Sequence, residues 1–252
     1  MHKLFALFAF LAPWLLQAQN TEGQIFYTET VQVRIQLPPD APEEMKKMIP
    51  PSRSAQQVLL FNEKACLYRD VSESEKEDIH LSSGGEEGGA NIQIKMARPE
   101  NRLYRDIENN AAVESREFMG RFFLIKDASK ASKWKITAEQ KEILGYRCQK
   151  AILQDTSRKL EAWFTPQIPL SLGPAGYFDL PGLIMELNIE NGQTTIVANK
   201  VEFKALDKKA IEKPSKGKEC TRAEYDKIVA DKMKEMNAEG TGGGGMRVII
   251  RN

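Results

Sequence analysis

The sequence predicts a mainly β protein: an antiparallel curved sheet or open half-barrel with a C-terminal amphipathic helix. Short segments in which every second residue is apolar recur along the chain, a pattern typical of half-buried strands. Clusters of Gly, Pro, Asn and Ser separate these segments at regular intervals. No long helical pattern occurs before residue 210. A β-sandwich built from the same strands stays an alternative.

The first predicted strand is long and half-buried. Ile25, Tyr27 and Val31 share one of its faces, Pro38–Pro39 ends it, and a short helix is predicted at Ala41–Ile49. The later strands are predicted at Gln56–Val71, Asn91–Met96, Arg102–Ile107, Val113–Asp127, Lys133–Ile136, Ile143–Gln154, Lys159–Thr165, Leu183–Glu190, Thr194–Leu206 and Met246–Ile250.

Two local signals predict particular turns and caps. Asn191–Gly192 is the strongest hairpin signal in the chain, so the strands on either side of it are expected to pair. Thr221 and Glu224 have the spacing of a capping box, which predicts a helix over residues 221–238. An apolar stripe follows at helical spacing: Tyr225, Ile228, Val229, Met233 and Met236.

The chain divides into three predicted regions. Residues 1–18 have a basic start and an apolar stretch too short to span a membrane, which indicates a secretory signal cleaved after Ala18. Residues 19–208 form the antiparallel β domain, interrupted at 72–90 by an acidic, Gly/Ser-rich loop that is expected to be mobile. Residues 209–252 comprise a Lys-rich linker, the helix, a Gly-rich turn and a short terminal strand. The mature protein is therefore expected to be exported, periplasmic or envelope-associated, and not membrane-spanning.

The charge balance and the cysteines limit the class of protein. With 36 basic and 35 acidic residues the chain is almost neutral, which argues against nucleic acid as a partner. Export implies an oxidising compartment, so one disulfide is plausible among Cys66, Cys148 and Cys220. The favoured pair is Cys148–Cys220, which would tie the C-terminal segment to the sheet. The alternative is that all three are free, buried thiols.

The sequence offers no recognisable catalytic constellation. The mature chain has one histidine, His80, which lies within the acidic loop and is poorly placed to activate a nucleophile. Motifs for a phosphate-binding loop, a nucleophile elbow or a zinc protease do not occur, and no metal or cofactor is predicted. The one acid that stands out is Asp179, in a turn between two apolar residues, where bonding to nearby backbone amides is the favoured interpretation.

Three segments carry a resemblance to a known family: Ile143–Ala151, Ala162–Pro169 and Gly173–Leu187. They resemble, in order, the motifs of the GLPGLI family of exported bacterial proteins, and the resemblance runs from Tyr104 to Leu206. The family is named after the motif GLPGLI, and this chain has Asp179 at the position of the first Gly of that motif. The resemblance implies an exported protein and supplies no catalytic residue, because no activity is established for that family.

The segment Gly173–Leu187 has two interpretations. As a structural turn it depends on Gly173, Pro174, Asp179, Pro181 and Gly182. As a ligand-binding surface it would form an apolar lip on a concave sheet, lined by Tyr146, Trp163, Tyr177, Phe178, Leu180 and Leu183.

The predicted function is that of an exported, non-enzymatic protein that binds an apolar ligand or an outer-envelope protein. An accessory protein that docks onto a partner through its C-terminal helix is the alternative. A hydrolase that uses paired carboxylates is the least favoured of the three hypotheses.

Overall fold

A computed structural model describes residues 21–33, 50–71, 101–128, 132–154 and 159–239. Several predictions lie outside the described residues: the signal at 1–18 with its cleavage after Ala18, the short helix at Ala41–Ile49, the loop at 72–90 with His80, and the strands at Asn91–Met96 and Met246–Ile250.

The described residues form one open sheet of twelve strands with a C-terminal helix. The strands are β1 Gly23–Gln32, β2 Ser52–Phe61, β3 Ala65–Asp70, β4 Asn101–Asp106, β5 Ala111–Phe118, β6 Arg121–Ala128, β7 Trp134–Ile143, β8 Tyr146–Leu153, β9 Leu160–Thr165, β10 Leu183–Ile189, β11 Thr194–Phe203 and β12 Lys218–Cys220; helix α1 is Arg222–Glu239. The sheet order is β12-β6-β5-β4-β3-β2-β1-β11-β10-β9-β8-β7. The predicted mainly β class, with an open antiparallel sheet and a C-terminal helix, is confirmed. Among the described strands, only β12 and β6 pair in parallel.

Several tight turns divide strands that the pattern runs together. The predicted strand Gln56–Val71 is the hairpin β2–β3, because Asn62 Oδ1 accepts the N–H groups of Lys64 and Ala65 at 2.9 Å and turns the chain. The predicted strand Val113–Asp127 is the hairpin β5–β6, with Met119 and Gly120 at φ 51° and 75°. Paired left-handed residues suit the twist of a two-residue hairpin, but Met in the first position gives no sequence signal.

The predicted pairing across Asn191–Gly192 is confirmed. β10 and β11 are antiparallel, with Ile189 opposite Thr194. Asn191 and Gly192 have φ values of 53° and 90°, which Asn and Gly adopt more readily than other residues.

One face of the sheet, here called the inner face, carries most of the core. Ile25, Tyr27 and Leu59 lie on it and are fully buried. Residues 166–182, here called the covering loop, pack over this face with Ile168, Leu172 and Leu180 among the buried core residues. The hydroxyl of Tyr27 donates to the carbonyl oxygen of Ile184 at 2.9 Å. Burial of this kind drives the sheet to form, because each large apolar side chain removed from water contributes about 1.5–3 kcal/mol.

The opposite face carries a smaller core. Phe26, Val58 and Leu60 are buried there against Leu206 and Ile211, from the chain that follows β11. Since residues alternate between faces along a strand, Phe26 and Ile25 belong to different cores although they are neighbours in sequence.

Helix α1 packs on the inner face of β6. Tyr225 is buried against Phe123 and Ile125, with its ring 5.5 Å from that of Phe123. The predicted capping box is formed: the N–H of Glu224 donates to Thr221 Oγ1 at 3.3 Å, and the N–H of Thr221 donates to Glu224 Oε2 at 2.7 Å. In the described part of the chain, no helix combines the length and apolar character needed to cross a membrane.

Candidate functional site

A small pocket lies where the covering loop meets strands β3 and β4. Its strand side includes Cys66 and Tyr68 from β3 and Leu103 and Arg105 from β4. Cross-strand pairing explains this grouping, because Cys66 lies opposite Arg105 and Tyr68 lies opposite Leu103, and paired residues project from the same face. Its loop side includes Gly173, Gly176, Tyr177 and Phe178.

Left-handed backbone brings the covering loop onto the pocket. Ala175, Gly176 and Asp179 have φ values of 53°, 79° and 68°. A side chain at Gly176 would meet Leu103 Cδ2 at 2.6 Å, so glycine permits the close approach of the loop to β4.

Three hydrogen bonds hold the loop in place. Trp134 Nε1 donates to the carbonyl oxygen of Phe178 at 2.7 Å. The carboxylate of Asp179 accepts the N–H of Ser132 at 2.8 Å, and the N–H of Asp179 donates to Ser171 Oγ at 3.1 Å. The side chain of Asp179 therefore joins the covering loop to the segment that leads into β7.

Arg105 is the charged group of the pocket. Its guanidinium carbon lies 3.4 Å from the centre of the Phe178 ring, a stacked cation–π contact. Burial lowers the pKa of Arg105, although the nearby Cys66 and Asp179 oppose that shift. Its Nε is buried, and among the described residues it has no hydrogen-bond acceptor. Leaving a buried donor unpaired costs about 1–3 kcal/mol, so this nitrogen favours an acceptor from outside the described chain.

Cys66 contributes a neutral thiol to the same pocket. Burial raises its pKa to about 11, and the opposite effect of Arg105 is smaller. At neutral pH the group is therefore protonated and a poor nucleophile.

The structure separates the six predicted ligand-binding residues. Tyr177 and Phe178 line the pocket, whereas Leu180 and Leu183 are 2% and 0% exposed within the core and form no lip. Tyr146 and Trp163 are half-buried on β8 and β9 and do not belong to the pocket lining.

The predicted turn residues shape the covering loop. Pro174 begins a short 3-10 turn at Pro174–Gly176. Gly173 and Gly182 lie close to other parts of the chain: a side chain at Gly173 would meet Ile184 at 2.8 Å, and one at Gly182 would overlap the carbonyl group of Thr165. Pro181 precedes Gly182 at the end of the loop.

Trp163 packs against the main core and belongs to a separate charged cluster outside the pocket. Lys141 Nζ lies 4.4 Å from the centre of its ring, and Lys150 Nζ lies 5.9 Å away. Each lysine is also paired with a carboxylate, Lys141 with Glu186 at 2.6 Å and Lys150 with Glu161 at 3.2 Å. The cluster is therefore internally neutralised and leaves little net charge to attract a ligand.

A third polar group lies on the inner face, across the middle of β2. The amide nitrogen of Gln57, which is 5% exposed, donates to Asp70 Oδ1 at 2.7 Å and to Glu29 Oε2 at 3.3 Å. Sequence reasoning missed this group and also Arg105, because each depends on the register between strands.

The cysteines and possible metal ligands complete the inventory. Cys66, Cys148 and Cys220 form no disulfide with one another. The expected Cys148–Cys220 pair is not formed because β8 and β12 lie near opposite ends of the sheet order. Over the described ranges, no group of three or more His, Cys, Asp or Glu side chains is arranged to hold a metal ion.

Comparisons with known proteins identify the family. Residues 90–228, more than half of the chain, match the family model described as N-glycanase peptide, N-terminal domain. No curated protein matches the sequence. A solved structure of PNGF-II in space group P21 shares 18% identity, with a TM-score of 0.52 over 83% of this chain. PNGF-II in space group C2 also shares 18% identity, with a TM-score of 0.49 over 82% of this chain.

The chain spans about one third of the length of PNGF-II, since the matches cover 33% of each PNGF-II chain. At 18% identity the P21 structure shows a common fold and no more.

The family match overturns two predictions. The resemblance to the GLPGLI family is wrong, because the segments Ile143–Ala151, Ala162–Pro169 and Gly173–Leu187 all lie inside the N-glycanase match. Those segments consist largely of a tight turn, a strand and the covering loop, which are features of a fold and do not discriminate between families. The predicted non-enzymatic protein that binds an apolar ligand or an envelope partner is also contradicted, because the matched family is a domain of an enzyme. The chain belongs to the family of N-glycanase peptide N-terminal domains.

Proposed function

We propose that this chain takes part in the processing of N-linked glycans and engages the glycan-bearing protein or peptide through the inner face of its sheet. The match of residues 90–228 to an N-glycanase domain is the observation that carries the proposal.

The chemistry of the inner face supports this assignment. Sugars present hydroxyl and amide groups around an apolar ring, so a protein binds them with aromatic surfaces and a few fixed polar groups. The pocket beside the covering loop provides both kinds of group, with Tyr177 and Phe178 as aromatic surfaces and Arg105 as a fixed donor.

The polar group at Gln57 extends the same face. Glu29, Gln57 and Asp70 lie on β1, β2 and β3, and Gln57 lies one residue pair along from Leu59 on the inner side of β2. Ionised carboxylates accept hydrogen bonds from hydroxyl groups, which are the commonest groups of a glycan.

The test uses the full chain and a matched pair of peptides. One peptide carries an N-linked glycan on its asparagine, and the other has the same sequence without the glycan. Calorimetry measures the affinity for each, and mass spectrometry measures whether the glycan is released. We expect the glycopeptide to bind about tenfold or more tightly than the bare peptide, a difference of about 1.4 kcal/mol. Equal affinities together with an unchanged glycopeptide mass would overturn the proposal.

A further inference from the structure

We propose that residues 204–218, here called the lysine strap, bind the surface of a membrane that contains anionic phospholipids. The strap runs from the end of β11 to the start of β12. This inference does not involve the pocket and goes beyond the proposed function.

The lysine strap concentrates positive charge in a protein that is almost neutral overall. The whole chain has 36 basic and 35 acidic residues, whereas the strap has only two acids, Asp207 and Glu212. Its lysines are Lys204, Lys208, Lys209, Lys213, Lys216 and Lys218. Clusters of roughly four to eight basic residues are typical of segments that bind anionic lipid headgroups.

Apolar residues of the strap hold it against the sheet and leave its lysines in solvent. Leu206 and Ile211 pack on the smaller core, which includes the buried Phe26 and Val58. All the lysines of the strap are exposed. Burial of the apolar side chains therefore fixes the strap on the opposite face of the sheet while its charges stay accessible to a partner.

Most of these lysines have no carboxylate partner. Lys204 pairs with Glu202 at 3.3 Å. The other lysines of the strap form no ion pair with any described residue. Lys216 Nζ lies 3.9 Å from the centre of the Phe122 ring, a contact that does not neutralise its charge. The excess charge of the strap is therefore available to an anionic partner.

The path of the strap favours a broad surface as that partner. The strap crosses β1 to β6, since these strands separate β11 from β12 in the sheet order. With neighbouring strands about 4.8 Å apart, the lysines are spread over roughly 30 Å, too far for one small ligand to contact them all. Lysine acts as a flexible point charge without the fixed geometry of arginine, which suits a layer of headgroups. Nucleic acid is less favoured because the charges of the whole chain balance.

Membrane binding through the strap would also orient the protein. The strap packs on the opposite face of the sheet, whereas the covering loop packs on the inner face. The inner face would therefore point away from the lipid surface and stay open to solvent.

The test measures co-sedimentation of the full chain with lipid vesicles. One set consists of phosphatidylcholine, and in the other set about one third of the lipid is the anionic phosphatidylglycerol. We expect the protein to sediment only with the anionic vesicles, and to be released at about 1 M salt, where the screening length falls to about 3 Å. No sedimentation with the anionic vesicles, or equal sedimentation with both sets, would overturn the inference.

A triple variant locates the contact on the strap. Lys208→Gln, Lys209→Gln and Lys213→Gln together remove three exposed charges. Each basic residue near an anionic surface strengthens binding about fivefold, so the three substitutions should weaken vesicle binding about 100-fold. The circular dichroism spectrum should stay unchanged, because none of these side chains is buried.

The matched control removes the same number of charges elsewhere. Lys135→Gln, Lys227→Gln and Lys234→Gln alter exposed lysines of β7 and α1. This variant should bind anionic vesicles as the unaltered protein does. If both triple variants lost the same binding, overall charge and not the strap would be responsible, and the inference would be wrong.

Two further measurements test other occupants of the strap. Acetylation of Lys208 and Lys209, followed by mass spectrometry, should be rapid in the free protein and slower with anionic vesicles. Slow acetylation without vesicles would mean that acidic residues of the same chain cover the strap. Preference of the strap for a DNA duplex over anionic vesicles would mean that nucleic acid is its partner. Either result would contradict the membrane assignment.

Discussion

At the scale of single residues, two glycines decide the path of the covering loop. Gly173 lies against Ile184, and Gly182 lies against the carbonyl group of Thr165 with φ at 153°. That φ is accessible to glycine and strained for every other residue. The loop therefore depends on these positions for the geometry that carries Tyr177 and Phe178 to the pocket.

Gly182→Ala should destabilise the protein by about 2–4 kcal/mol, because it adds a clash with backbone to a strained φ. Gly192→Ala is the matched control: its φ of 90° is also unfavourable, but nothing lies within 4 Å of the added carbon, so the loss should be about 1 kcal/mol. Denaturant unfolding of both variants gives the comparison. Equal losses would show that close packing at Gly182 does not matter.

The thiols should differ in reactivity with pH. Burial raises the pKa of Cys66 and of Cys148 to about 11, above the usual value of 9.0, so at any pH below 11 they hold less of the reactive thiolate than an ordinary cysteine does. We expect one fast-reacting thiol per folded chain at pH 8, that of the partly exposed Cys220, and three after denaturation. A thiol-reactive dye measures both numbers. The labelling of Cys66 and Cys148 should accelerate as the pH rises towards 11, and rapid reaction of all three at pH 8 would contradict their burial.

At the scale of secondary-structure elements, helix α1 is stabilised both by a cap at its own N-terminus and by packing against the distant strand β6. Its N-terminus is closed by the reciprocal bonds between Thr221 and Glu224. Its first turn is held by Tyr225 on β6 and by an ion pair between Arg222 and the nearly buried Glu114, which also pairs with Arg116. Of the predicted apolar stripe, Tyr225, Ile228 and Val229 pack against β6, whereas Met236 is 49% exposed.

Thr221→Ala should lower the stability of the protein by about 1 kcal/mol, because it removes the side-chain acceptor for the Glu224 N–H. Lys227→Ala, at an exposed position of the same helix, should change stability by no more than about 0.5 kcal/mol. Circular dichroism during thermal unfolding measures both changes. Similar effects of the two substitutions would mean that the cap contributes nothing.

Short sequence motifs predict those elements that depend only on residues close together in the sequence. The capping box predicts the start of α1 to within one residue, and Asn191–Gly192 predicts the β10–β11 hairpin. The sequence does not predict the hairpin turn at Leu144–Gly145, because Leu has no preference for the φ of 52° that it adopts there.

The candidate site was only half predictable for the same reason. Tyr177 and Phe178 follow from a turn-rich segment that ends in a buried strand. Arg105 reaches them through the register of β3 with β4 and the fold of the covering loop, neither of which a single sequence pattern specifies.

At the scale of the whole molecule, the covering loop links distant strands. Phe178 stacks on Arg105 of β4 and accepts a hydrogen bond from Trp134 of β7. β4 lies in the first half of the sheet order, whereas β7 is the last strand. The loop therefore contacts strands that are far apart in the sheet order, and it also forms one wall of the pocket.

Trp134→Phe should loosen this link, because it removes the donor to the Phe178 carbonyl, a loss of about 1 kcal/mol. Hydrogen exchange should accelerate at the amides of residues 177–182. Trp163→Phe is the control, since Trp163 contacts Lys141 and Lys150 and does not line the pocket. It should leave exchange in the covering loop unchanged; acceleration in both variants would mean that Trp134 has no special part in holding the loop.

The position of β1 has a consequence for how the protein is made. β1 pairs with β2 on one side and with β11 on the other. Gly23 therefore cannot pair with Phe203 until the chain has been synthesised as far as β11. During synthesis, β1 can pair with β2 soon after both strands have left the ribosome. The other edge of β1 stays unpaired until β11 and nearly the whole sheet have been synthesised. Unpaired strand edges recruit foreign strands. The nascent chain therefore needs shielding for most of its synthesis, and a truncation that ends before Thr194 should aggregate.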